Sequence, residues 1–161
     1  MNPWDEDPLY LGIDPGKTGA GVLVDQRGLM VDSFRFAKHT LEETDAWLAE
    51  LRGGGHVAAL EKVASSPQMG VRSAFSFGRS LGQIEALLVS SGIRIVRVAP
   101  RTWQKTFGIQ PRRKKPNPET QTQFKKRVRA LAEERFPGHI KTADLADAAL
   151  LAEWCRRDAR G

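Results

Sequence analysis

The chain has 161 residues, 40% of them hydrophobic, with a net charge of +6 and a pI near 9.8. That length suffices for one buried core but not two, so one domain is expected over residues 9–158, preceded by a tail over 1–8. No run approaches the roughly 18 apolar residues of a membrane helix, the start lacks a signal-peptide pattern, and one cysteine (Cys155) allows neither an internal disulfide nor a zinc cluster. A cytoplasmic protein without a membrane partner is expected, with any metal held by oxygen ligands.

Leu9 to Ile13 is an apolar run ending at Asp14-Pro15-Gly16, and Ala20 to Val24 follows after Lys17-Thr18-Gly19, which reads as a hairpin. The turn Gln26-Arg27-Gly28 leads to a third strand over Leu29 to Phe36. Thr40 with Glu43 forms a capping box before a helix carrying Leu41, Trp47, Leu48 and Leu51, stopped by three glycines at 53–55. His56 to Leu60 is a short apolar strand ending at Glu61. From Val71 to Ser90, Ala74, Phe77, Leu81, Ile84 and Leu88 trace one helical face. Gly78 and Gly82 lie one turn apart on that helix and suggest close packing, against the sheet more than against a second subunit.

A fifth strand, Ile93 to Val98, is stopped by Pro100. The segment 110–119 is a basic, proline-containing loop expected to be mobile, and a helix follows from about Thr120 to Arg135 with Phe124, Val128 and Leu131 inward. A last helix starts near Thr142 and runs to about Arg157. The order βββ-α-β-α-β-α-α fits an α/β fold with a mixed five-stranded sheet, three strands antiparallel and two reached by helical crossovers, flanked by helices. Between Arg97 and Arg129 there are eleven basic residues and one acid, so this segment is +10 and the remainder −4. Such asymmetry suits a polyanion site, although a solvated charged face is the plainer alternative.

Four carboxylates stand where a sheet-based site would want them. Asp14 ends the first strand, Glu61 ends the fourth, and Asp144 and Asp147 share one face of the last helix at i and i+3. Asp14 could merely open a turn, and Asp144 could merely complement the helix dipole. Asp147 is harder to dismiss, because it lies among Leu145, Ala146, Ala148, Ala149 and Leu150, where an unpartnered charge is costly. Clustered carboxylates repel unless cations lie between them, and hard oxygen donors suit Mg²⁺, with Mn²⁺ as a substitute. Two ions per site, about 3.5–4 Å apart, would activate a water and stabilise the leaving oxygen of a phosphodiester. Gly16-Lys17-Thr18 is no phosphate-binding P-loop, since the required first glycine would fall at Leu11.

Leu11-Gly12-Ile13-Asp14-Pro15-Gly16 with Thr18-Gly19, then Leu60-Glu61-Lys62-Val63, then the stretch from Ala143 to Leu150 resemble, in order, the three acidic motifs of RuvC-type Holliday junction resolvases. The stretch from Phe75 to Gly82 resembles the short phage-type members. The resemblance implies an RNase H-like fold, with Asp14, Glu61, Asp144 and Asp147 as metal ligands. It also implies a homodimer that nicks a four-way DNA junction symmetrically.

The helix 71–90 is then the expected dimer contact. Lys62, Arg72 and Arg79 would touch DNA backbone near the cut, and Arg101, Lys105, Arg112, Arg113, Lys114, Lys115 and Lys125 would bind the junction arms. His139 and Lys141 could assist proton transfer or simply belong to a loop. Ala64 stands where cellular members often carry an aromatic residue, leaving Gln68, Met69 or Phe75 as substitutes. Alternatives within the same fold are a flap or branched-DNA nuclease, a YqgF-like RNA-processing member, and a non-catalytic nucleic-acid-binding module.

Overall fold

The central strand of the sheet has both faces covered, and this decides where everything else lies. The computed structural model describes residues 7–16, 18–63 and 66–159. Strand β1 (Tyr10–Asp14) pairs antiparallel with β2 (Ala20–Val24) and parallel with β4 (Val57–Glu61). Strand β3 (Met30–Arg35) extends β2 antiparallel, and β5 (Arg94–Val98) extends β4 in parallel, giving the order β3-β2-β1-β4-β5. The expected mixed five-stranded sheet is therefore present.

Alternation along the strands divides the core into two layers. Leu11, Ile13, Leu23, Ala58 and Leu60 face helices α1 (Leu41–Ala49) and α2 (Val71–Ser90). Tyr10, Val22, Val24, Val57 and Ala59 face α3 (Pro100–Thr106), α4 (Gln121–Arg135) and α5 (Ala143–Asp158). Helix α1 has the expected capping box, with the Thr40 hydroxyl accepting from Glu43 N–H, and Thr120 caps α4 through Gln123 in the same way. No helix among the described residues is long and apolar enough to cross a membrane.

Helix α5 lies directly over β1, and Gly12 is the reason it can. A Cβ at Gly12 would come within 1.9 Å of the Ala148 carbonyl oxygen and 2.2 Å of the Ala152 amide nitrogen. The alanines of α5 complete the close approach, Ala146, Ala148, Ala149 and Ala152 all being buried. At the far end of α5 the fully buried Glu153 accepts from Arg156 and Arg157 at 2.8 Å and pairs with Arg135 at 3.3 Å. Arg156 also donates to the Gln26 carbonyl and Arg135 to that of Gly28, so one acid ties α5 to α4 and to the β2–β3 turn.

Two sequence expectations are corrected. Pro100 does not merely stop β5; it is the first residue of α3, a helix absent from the reading above, as befits a proline at N1 whose missing N–H costs nothing there. Gly78 and Gly82 do not seat α2 on the sheet, since a Cβ at either would meet nothing within 4 Å. Only the second half of α2 is anchored, through Ile84 and Leu88, while Val71 and Phe75 are 89% and 73% exposed.

Gly12→Ala is expected to cost about 3 kcal/mol or more, because two backbone atoms cannot give way as a flexible side chain would. Urea denaturation measures this; a variant as stable as the parent would show that α5 does not depend on the contact.

Candidate active site

One register row of the sheet collects most of the chemistry. Arg35 pairs with Ala20, Ala20 with Asp14, and Ile13 with Leu60, so Glu61 follows beside Asp14 before pairing in turn with Val98. Lateral neighbours in a sheet share a face. Arg35, Asp14 and Glu61 therefore lie along the side on which Ala20 and Val98 join the α5 core. The first two turns of α5 bring Asp144 and Asp147 to the same edge.

Burial pushes the Asp14 carboxyl well above its usual range, and the negative charges of Asp147, Glu61 and Asp144 add to the effect. Glu61 is raised by burial to about 7, against a hydrogen bond from Trp103 and with a further push from Asp147. Burial raises Asp147 to about 6, opposed by Lys125. All four carboxylates thus belong to one electrostatic cluster, formed from three elements far apart in the chain. Glu61 and Asp147 share with Lys125, Gln104 and Gln121 a cleft of about 160 Å³ between α3, α4 and α5.

Two of the acids are engaged by residues the sequence reading did not single out. The Trp103 indole, fully buried on α3, donates from Nε1 to Glu61 Oε2 at 2.8 Å. Arg35 donates to Asp144 Oδ2 from Nε at 3.0 Å and from Nη2 at 2.5 Å. Among the described residues, no three acid, histidine or cysteine side chains converge as ligands around one point.

The donor set nevertheless fits a hard divalent cation: it is all carboxylate oxygen, it is recessed, and burial together with neighbouring acids raises the proton affinity of Asp14 and Glu61, the condition a cation relieves. Held there, such a cation would supply charge neutralisation and activation of a water for attack on phosphorus.

The other expected site residues divide into groups. Lys125 is exposed and lines the cleft beside the acids, where its charge lowers both Asp14 and Asp147. Arg101 is exposed and donates to Gln104 and to the Ile109 carbonyl, and so clamps the end of α3. Arg112 and Arg113 bond within the 110–121 region, to Gln121 and to the Asn117 carbonyl. Lys62, Arg72, Arg79, Lys105, Lys114 and Lys115 are exposed. His139 and Lys141 are exposed in the turn before α5, where Arg129 donates to the Lys141 carbonyl. Among the wedge candidates, Phe75 and Gln68 are exposed and Met69 is half-buried, while Ala64 lies outside the described residues.

The raised carboxyls have a sign that can be checked. Between about pH 4.5 and 7 the folded protein holds protons that the unfolded chain releases, so stability contributed by this cluster falls as pH rises through that window. In EDTA the thermal midpoint should drop over that range, and less steeply in Asp147→Asn; identical slopes in the two proteins would contradict the cluster. Trp103→Phe removes the one hydrogen bond that favours ionised Glu61, so a ¹³C titration should find that carboxyl above its parent value near 7.

No protein-family model matches the chain, and no curated protein matches it by sequence. Solved structures do. The Thermus thermophilus RuvC bound to a Holliday junction substrate superposes with a TM-score of 0.62 at 17% identity, over 95% of this chain and 95% of that one. A second structure of Thermus thermophilus RuvC gives 0.63 at 16% identity over 94% and 95%. Along nearly its whole length the chain has the RNase H-like α/β fold of RuvC.

Proposed function

We propose that this protein is a divalent-metal-dependent, structure-selective endodeoxyribonuclease that resolves four-way DNA junctions by paired symmetric nicks, working as a homodimer. The observation that carries the proposal is the electrostatic cluster of Asp14, Glu61, Asp144 and Asp147 at the carboxyl edge of a RuvC-type sheet. A metal-free DNA-binding module has no use for three gathered acids whose proton affinities are raised by removal from water, and such perturbation is characteristic of working sites.

In this reading Asp14, Glu61, Asp144 and Asp147 hold Mg²⁺, or Mn²⁺ in its place. Trp103 fixes the orientation of Glu61. Lys125, beside Asp14 and Asp147, offsets part of their charge and is available to a scissile phosphate at the mouth of the cleft. Helix α4 lines that cleft through Gln121 and Lys125, Arg112 bonds to Gln121, and Lys105, Arg112, Lys114 and Lys115 are exposed for backbone phosphates. That the superposed Thermus RuvC is bound to a Holliday junction supports a branched substrate. The unpacked first half of α2 supports a second copy of the chain: Val71, Phe75, Gly78 and Gly82 recur at helical spacing on it, all exposed.

With Mg²⁺, a synthetic four-way junction should be cut at two symmetric positions to give ligatable ends. Asp147→Asn and Asp14→Asn should still bind it in a mobility shift while cleavage falls more than about 100-fold, beyond the loss typical of residues supporting a metal ligand. Preferred cutting of flaps or plain duplex would refute the resolvase assignment, and undiminished cutting by Asp147→Asn would refute the site.

A further inference from the structure

Arg35 is the one residue of the acidic row with the opposite charge. It ends β3, the edge strand, two strands away from Asp14, and crosses above Ala20 to reach Asp144 on α5. Both of its bonding nitrogens converge on a single oxygen, Asp144 Oδ2. A guanidinium spread across both carboxylate oxygens would form the two parallel bonds of a locked pair; this one uses half of that capacity. The pair is also open to water, with side-chain exposures of 32% for Arg35 and 25% for Asp144. Arg35 therefore has a route out to solvent that costs little desolvation, unlike the arginines around the fully buried Glu153.

We propose that Arg35 is an internal counter-ion that occupies Asp144 when no divalent cation is bound and is displaced from it when one binds. This rests on the reading of the carboxylate cluster as a metal site. Among the described residues, the charges placed against Asp144 are Arg35 from β3 and the acid Asp14 from β1, while Lys125 acts on Asp14 and Asp147. Of these two cations, Arg35 is the one that bonds an expected ligand atom directly, which accords with the absence of a converged ligand set among the described residues. Arg35 is a positioning residue in this scheme and forms no bond with substrate.

The sign of the effect distinguishes a competitor from a plain strut. In DNA-free protein, Arg35→Gln should bind Mn²⁺ about tenfold more tightly by calorimetry, because a nearby positive charge and a rival for Asp144 are both removed. Its metal-free thermal midpoint should fall, and the rise produced by saturating Mn²⁺ should exceed that of the parent. Arg35→Lys, which keeps the charge without the planar fork, should lie between the two.

In the unmutated protein, adding Mg²⁺ should shift the Arg35 Nε–H resonance toward that of a solvent-exposed arginine, a readout that needs no variant to fold. Unchanged or weaker Mn²⁺ binding by Arg35→Gln, or an Arg35 resonance indifferent to Mg²⁺, would overturn the competitor role and leave the metal site standing. A parent protein that takes up no Mn²⁺ would overturn the metal site and this inference together.

Discussion

The seating of α5 on Gly12 is the contact from which the rest of the site follows. A helix usually packs on a sheet at a distance set by intervening side chains; here the strand residue has none, and the helix presents alanines. The backbone of α5 is thereby held against β1. Because Gly12 and Asp14 are two apart on the same strand, they face the same way, and the helix that rests on one necessarily overhangs the other. Any side chain at position 12 would lift the helix and carry Asp144 and Asp147 away from Asp14. The far end of α5 is fixed separately by Glu153, which burial alone would make more basic. Its bonds from Arg156 and Arg157 and the charge of Arg135 instead hold it down at about 2, so this anchor is lost only in strong acid. A helix fixed in its middle and at its end presents its first two turns without freedom to retreat from like charge.

The energetics of the two acidic regions are opposed, and that opposition separates structure from function. Glu153 is more deeply buried than any acid of the cluster, yet its three guanidinium partners overcompensate the desolvation. Asp14, Glu61 and Asp147 are pushed the other way: burial raises all three, the charge of Asp147 adds to the rise at Asp14 and Glu61, and no arginine pairs with them to reverse it. The fold plainly can satisfy an acid on α5 when stability is all that matters. Gathering three acids without an arginine partner beside the other end of that helix is a standing cost, and it makes sense where a cation or a phosphate-bearing ligand completes the site.

What could be read from sequence was whatever shows as a local contradiction. Asp147 stands out because a charge interrupts an apolar helix, and Glu61 because an apolar strand ends in an acid; both are where the reading placed them. The strand order was accessible because run lengths and turn residues constrain it. Direction was less accessible: Lys125 belongs to a run of cations on α4, and nothing in that run says that this one lines the cleft with the acids. Trp103 was hidden by an ambiguity of proline, which ends a strand and opens a helix with equal ease. Arg35 was hidden more completely. Its partner lies over a hundred residues away, and only the register of two strand pairings brings it into the row. The glycines of α2 misled because the pattern for close packing is the same whether the partner is a sheet or something outside the chain.

These observations also explain how a shared fold coexists with 16–17% identity to the superposed RuvC structures. Core layers accept many apolar combinations provided volume and alternation are kept, so most positions on both faces of the sheet are interchangeable among aliphatic side chains. The features of this chain that are set by backbone geometry are few: no side chain at position 12, acids at the ends of two adjacent parallel strands, and acids one turn apart on the helix above them. The residues that orient those acids are less constrained. An indole N–H is one of several donors able to hold Glu61, and an arginine on a neighbouring strand is one of several ways to occupy Asp144. In this chain the groups that tune the acids are Trp103 at Glu61, Arg35 at Asp144 and Lys125 beside Asp14 and Asp147, and it is in them that the individual character of this site resides.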